Sequence, residues 1–106
     1  MATVLWLFLA AVLEAGGDAV VRSGLRASGA ARIAWFVAGA IVLFSYGYAV
    51  NTPKWNFGRL LGIYVTLFFL VAQAIGWIFF HEVPSRGIIA GGALILAGGA
   101  VMTYWQ

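Results

Sequence analysis

The sequence predicts an all-α integral membrane protein of four transmembrane helices, and three observations predict it. Of its 106 residues, 64% are hydrophobic and only 8% are charged, against roughly 25% charged in an ordinary soluble domain. The apolar residues gather into four runs, each close to the about 20 residues that a helix needs to cross a hydrocarbon core of about 30 Å. The runs are too evenly apolar for the alternating strands of an outer-membrane barrel, so helices are the better way to satisfy every backbone polar group in lipid.

The expected helices cover residues 2–21, 33–50, 60–80 and 87–104. The first run carries two acids and lacks the basic segment that precedes a signal peptide's apolar core, so it reads as a span and not as a leader. RSGLRASGAAR, residues 22–32, follows it. Its Gly, Ser and three arginines suit an interfacial turn. The second connection is NTPKWNFGR, residues 51–59, where Pro53 stops the preceding helix and Trp55 suits the headgroup region. HEVPSR, residues 81–86, joins the last two runs with Pro84 as its breaker. Trp6, Trp35, Tyr104 and Trp105 fit an interfacial aromatic belt.

Four spans use nearly the whole chain, so residues 1–106 read as a single transmembrane domain and function must lie within the helices. With no cysteine and one histidine, the chain offers no disulfide framework, thiolate metal site, nucleophile elbow or metal motif. An enzyme, a cofactor and a metal are therefore not expected. His81 and Glu82 stand at a helix end without a third ligand and read as solvated loop residues. The net charge of +3 comes from loop residues, and no basic run suggests nucleic acid. Arg22, Arg26, Arg32 and Arg86 share one side of the membrane against Lys54 and Arg59 on the other. That bias weakly favours termini outside the cytoplasm and leaves dual topology open.

LEAGGDAVVR, residues 13–22, raises the functional question. An acid near the bilayer centre costs about 2.5–3.5 kcal/mol on insertion scales, yet Glu14 and Asp18 both lie in the first run. They are four residues apart, about 6 Å along one helix face, with Arg22 a further turn on. Small neighbours such as Ala10, Ala11 and Gly17 leave room beside Glu14 for another helix or a ligand. Neighbouring carboxylates in an apolar medium hold a proton that water would take, release it when a cation arrives, and titrate as a pair. This is the chemistry of proton-coupled cation exchange. For Asp18 the alternative is a pairing with Arg22 that only fixes the helix end. Ser45, Tyr46 and Tyr48 offer hydroxyls within one turn of the second helix, and Tyr46 is the choice for a cavity-facing group.

In the fourth run, Gly91 and Gly98 lie seven apart, as do Gly92 and Gly99. A strip of small residues lets two backbones pack closely in lipid, as a dimer seam or against another helix of the same chain. Taken together, the membrane acid Glu14 with Gly17 and Arg22 after it, Phe79 and Phe80 ending the third helix, and this glycine spacing resemble the small multidrug resistance transporters over nearly the whole chain. The resemblance implies an antiparallel homodimer in the cell inner (plasma) membrane. Its two glutamates would bind protons and a cationic substrate alternately, exporting small or lipophilic cations such as quaternary ammonium or guanidinium compounds. It also places Tyr64 where the family carries a tryptophan, from which a ring face can stack on a cation. Thr66 to Phe68 replace the family's Gly-x-Gly kink, and Asp18 replaces a small hydroxyl residue. Two further functions fit the same residues: a non-transporting membrane subunit that needs a partner chain, and a flippase for a lipid or lipid-linked substrate.

Overall fold

The computed structural model describes residues 2–105. It is all-helical: α1 (Ala2–Leu25), α2 (Gly29–Val50), α3 (Phe57–Phe80) and α4 (Arg86–Tyr104), with no strand among the described residues. All four helices are long and apolar enough to cross a membrane. Several run beyond their expected ends. α1 continues through Arg22 to Leu25, α2 starts at Gly29 and α3 at Phe57, so the first turn shrinks to residues 26–28. The hydrophobic run marks only the hydrocarbon, whereas the helix persists into the headgroup layer, where polar side chains are solvated and the backbone still gains by bonding to itself. At a rise of 1.5 Å per residue, α1 is about 36 Å long.

The chain forms two compact units, Met1–Pro53 and Lys54–Gln106, each a helical hairpin. In the first, the turn between α1 and α2 is made by Gly29, whose φ of +62° is left-handed and open to glycine. The buried residues are Leu7, Ala10, Ala11, Ala15, Ala49 and Val50 with Gly17, Gly24 and Gly39, mostly small. Asn51 and Thr52 finish α2 by turning their side chains back on it: Asn51 Nδ2 donates to the Gly47 carbonyl at 2.8 Å and Thr52 Oγ1 to that of Tyr48 at 2.8 Å. These bonds occupy carbonyls that a helix end leaves without internal partners.

In the second unit Leu60, Ile63, Tyr64 and Val71 of α3 are buried. α4 meets α3 through glycine: a Cβ on Gly92 would lie 2.6 Å from the Phe69 ring, and one on Gly99 would collide with Thr66. The Thr66 hydroxyl oxygen is buried without a hydrogen-bond partner and faces the Gly99 α-carbon, an arrangement suited to a weak Cα–H···O contact. α4 begins on Ser85, whose Oγ accepts from the Ile88 N–H at 3.2 Å, a standard N-cap. α3 ends differently. The Glu82 N–H reaches back to the Gly76 carbonyl at 3.1 Å across His81, which is held at φ 57°. This is a left-handed helix stop with a histidine where glycine is usual. A side chain in that conformation costs about 1–2 kcal/mol, and glycine returns part of the gain through the freedom of the unfolded chain. His81→Gly is therefore expected to stabilise the protein by about 0.5–1 kcal/mol, measured by thermal unfolding in detergent.

Candidate cation and proton site

The first hairpin supplies the site through the register of its helices. A Cβ on Gly24 would lie 2.7 Å from the Phe36 ring, one on Gly39 2.5 Å from Val21, and one on Gly17 2.7 Å from Leu43. The facing pairs are therefore 24 with 36, 21 with 39 and 17 with 43. Along each helix they advance by alternating steps of three and four, in opposite directions, as antiparallel helices with a 3.5-residue seam do. One more step sets Glu14 opposite Tyr46. The two side chains are hydrogen-bonded, with the phenol as donor to an ionised carboxylate. The step beyond leads to Ala10 and Val50, both buried.

Glu14 is eleven residues from the end of α1, about 16 Å along the axis, which is close to mid-span. It is half-buried and Asp18 is exposed. The separation of the two follows from geometry: at 3.6 residues per turn the seam residues Gly17, Val21 and Gly24 are all rotated to one side of Glu14, whereas a step of four turns Asp18 about 40° to the other side. It leaves the seam while Gly17 stays in it. Both carboxylates nonetheless act electrostatically on the Tyr46 hydroxyl. Glu14, Asp18 and Tyr46 are thus brought together in one hairpin. An ionised Glu14 accepts from the phenol; a protonated one can donate to it; a cation arriving beside the pair finds one carboxylate in the seam and a second at its edge.

The remaining expected residues lie in the second unit. Tyr64 is buried on α3, its ring tilted against Phe68 with centroids 6.2 Å apart. The four glycines of α4 divide into two pairs. Gly92 and Gly99 face Phe69 and Thr66 of the same chain, whereas a Cβ on Gly91 or Gly98 would meet nothing within 4 Å. His81 and Glu82 are exposed, and among the described residues no group of His, Cys, Asp and Glu could hold a metal ion.

Two polar anchors of the first hairpin were not singled out in the sequence. The Trp6 indole N–H donates to the Ala49 carbonyl at 2.7 Å. Arg32, on the first turn of α2, donates to the carbonyls of Gly24 (3.2 Å), Ala27 (3.0 Å) and Leu25 (3.0 Å). The available signal for Arg32 was its position just after a glycine turn, facing a helix end with free carbonyls. Beside Trp6 a shallow apolar cleft of about 380 Å³ is lined by Ala2, Thr3, Trp6, Thr52 and Pro53, away from the acids.

Four apolar spans with a carboxylate set in a helix seam define a multi-pass membrane protein. Relatives give it a family. A UPF0060 membrane protein of Herpetosiphon aurantiacus is 36% identical over 105 residues, covering 96% of this chain and 93% of its own. One from Saccharopolyspora erythraea is 36% identical over 96% of this chain and 92% of its own, and one from Clostridium perfringens is 27% identical over the same shares. The chain belongs to the UPF0060 membrane protein family. No protein-family model and no solved structure matches it.

The division of the α4 glycines makes an expected difference. Gly99→Ala forces its methyl into Thr66, close to the α3 backbone, and is expected to destabilise the second hairpin by about 1–3 kcal/mol. Gly98→Ala has open space and is expected to change unfolding by less than about 0.5 kcal/mol. Thermal unfolding in detergent checks both. If Gly98→Ala nevertheless weakens self-association in the same micelles, the open pair belongs to a contact between copies.

Proposed function

We propose that the protein is a carrier, not an enzyme, that exchanges protons for a small or lipophilic cation across the inner membrane. In this reading it works as a homodimer, with Glu14 as the shared proton and cation site. The observation that carries the reading is Glu14 itself: a half-buried acid near mid-span, in the α1–α2 seam, hydrogen-bonded to Tyr46. Lipid exacts a cost for that placement, and an acid needed only for packing would be replaced by an apolar residue at no loss. Tyr46 gives the carboxylate a partner in either protonation state, so a proton can leave without stranding a buried charge. Asp18, exposed one turn toward the arginine-bearing end, adds a second negative charge at the entrance and favours a more strongly charged or more hydrated cargo.

The resemblance to the small multidrug resistance transporters supports the same chemistry, with quaternary ammonium and guanidinium compounds as the first cargo classes to try. Gly91 and Gly98, open on α4, are the residues we assign to the contact between copies. Tyr64 is given a cargo-facing role by that resemblance alone, since in this structure its side chain is buried on α3.

A proton-release titration of the purified protein against guanidinium, quaternary ammonium, polyamine and metal cations tests the reading. The wild type is expected to release protons on adding at least one class, Glu14→Gln to release none while keeping its helix content, and Asp18→Asn to release them with weakened preference for the more highly charged cations. Silence of the wild type across the whole panel would sink the carrier reading.

A further inference from the structure

The seam that sets Tyr46 opposite Glu14 is made almost entirely of apolar contacts. The three steps nearest the turn each set a glycine against a larger side chain, Gly24 with Phe36, Val21 with Gly39 and Gly17 with Leu43, but the steps of Glu14 with Tyr46 and Ala10 with Val50 contain no glycine. Here a shift of three or four residues would move Tyr46 past Glu14 to Ala10 or Gly17. At the Glu14 step the register therefore needs support from beyond the glycine contacts. Polar side chains stand at the two ends of the seam, Arg32 with three hydrogen bonds and Trp6 with one. At the turn, the Arg32 guanidinium is bound to three carbonyls, Gly24, Leu25 and Ala27, with donor–acceptor distances of 3.0–3.2 Å. Its planar fork reads their spacing as a single ammonium cannot. At the far end, the Trp6 indole is bound to Ala49 at 2.7 Å. Both sets of acceptors lie in or just beyond a last helical turn; the Gly24 and Ala49 carbonyls each also accept a backbone N–H, from Ala27 and Thr52, so what the side chains add there is a tie between the two helices.

We propose that Trp6 and Arg32 are positioning residues: they clamp the two ends of the α1–α2 seam, fix its register, and so hold Tyr46 against Glu14. The register half of this statement stands on the hairpin alone, and the functional half rests on the reading of Glu14 as the exchange site. Within this hairpin Asp18 on α1 also acts electrostatically on the Tyr46 phenol of the pair.

The chain has no cysteine, so one introduced pair reports register without background. A Cβ on Gly17 would lie 2.9 Å from Leu43 Cγ, which puts Gly17→Cys with Leu43→Cys within reach of a disulfide. In the full chain in detergent, oxidation is expected to cross-link this pair efficiently. Trp6→Phe and Arg32→Gln should each lower the yield, and the two together should lower it several-fold. Separately, without the cysteines, the pH midpoint of cation-driven proton release is expected to move in the Trp6→Phe/Arg32→Gln variant in the same sense as in Tyr46→Phe. Adding Tyr46→Phe to that variant should move it no further. Should the double variant lose helix content, Arg32→Lys takes its place, keeping the charge but not the fork, and its yield must still fall below that of the parent. Undiminished cross-linking in the folded variants overturns the clamp. Lost cross-linking with an unmoved midpoint overturns the positioning role. Lost cross-linking in a protein whose parent releases no protons leaves the clamp standing and removes only the exchange reading.

Discussion

Lipid gives two helices no hydrophobic reason to associate, so each hairpin holds together through how closely its backbones approach. In the first hairpin that approach is set by Gly17, Gly24 and Gly39, each facing a larger side chain of the other helix that occupies the space a Cβ would need. The rest follows from this fit of small against large. It fixes which face of α1 is turned to α2, and the same face carries Glu14. An acid there is enclosed on one side by protein, while Asp18, off the seam, is not. The two acids of α1 thus stand in unequal surroundings, one in the seam and one outside it.

The second hairpin obeys the same constraint with different means. Gly92 and Gly99 receive Phe69 and Thr66, and Gly99 also has its carbonyl engaged by the Thr103 hydroxyl at 2.8 Å. The Thr66 oxygen, without a conventional partner, is tolerated because the α-carbon of Gly99 comes so near. Removing water from a hydroxyl without replacing its hydrogen bond costs about 1–3 kcal/mol by protein measurements. The close crossing and the threonine therefore depend on each other, and neither is easily exchanged alone.

Composition made the four spans legible, because a chain this apolar has few other ways to satisfy its backbone. The helix ends were less so: Arg22 and Arg32 read as turn residues because charge marks the edge of the hydrocarbon, and nothing in a hydropathy pattern distinguishes that edge from the end of a helix. The pairing of Glu14 with Tyr46 could be named from sequence only as one choice among Ser45, Tyr46 and Tyr48. An interhelical register is fixed by a contact such as Gly24 with Phe36, and no single-chain periodicity contains that contact. The α4 glycines show the same limit. A spacing of seven says that Gly91 and Gly98 share a face and that Gly92 and Gly99 share the next one, but it does not say which face meets α3. The bonds that Trp6 and Arg32 make to the facing helix were not legible because both use backbone carbonyls as acceptors, and every residue but its neighbours looks equally able to supply one.

Arg32 also bears on how the hairpin is made. Its acceptors belong to the end of α1 and the turn, and Arg32 itself lies only seven residues beyond Leu25. A chain emerging from the ribosome therefore presents the cap for α1 with the first turn of α2, long before α2 is long enough to span. The last carbonyls of the first helix would be covered before the second has left the translocon, and the two helices would enter the bilayer already joined at the turn. Insertion as a pair, in place of two independent crossings, would bring Glu14 into the membrane alongside the helix that shelters it.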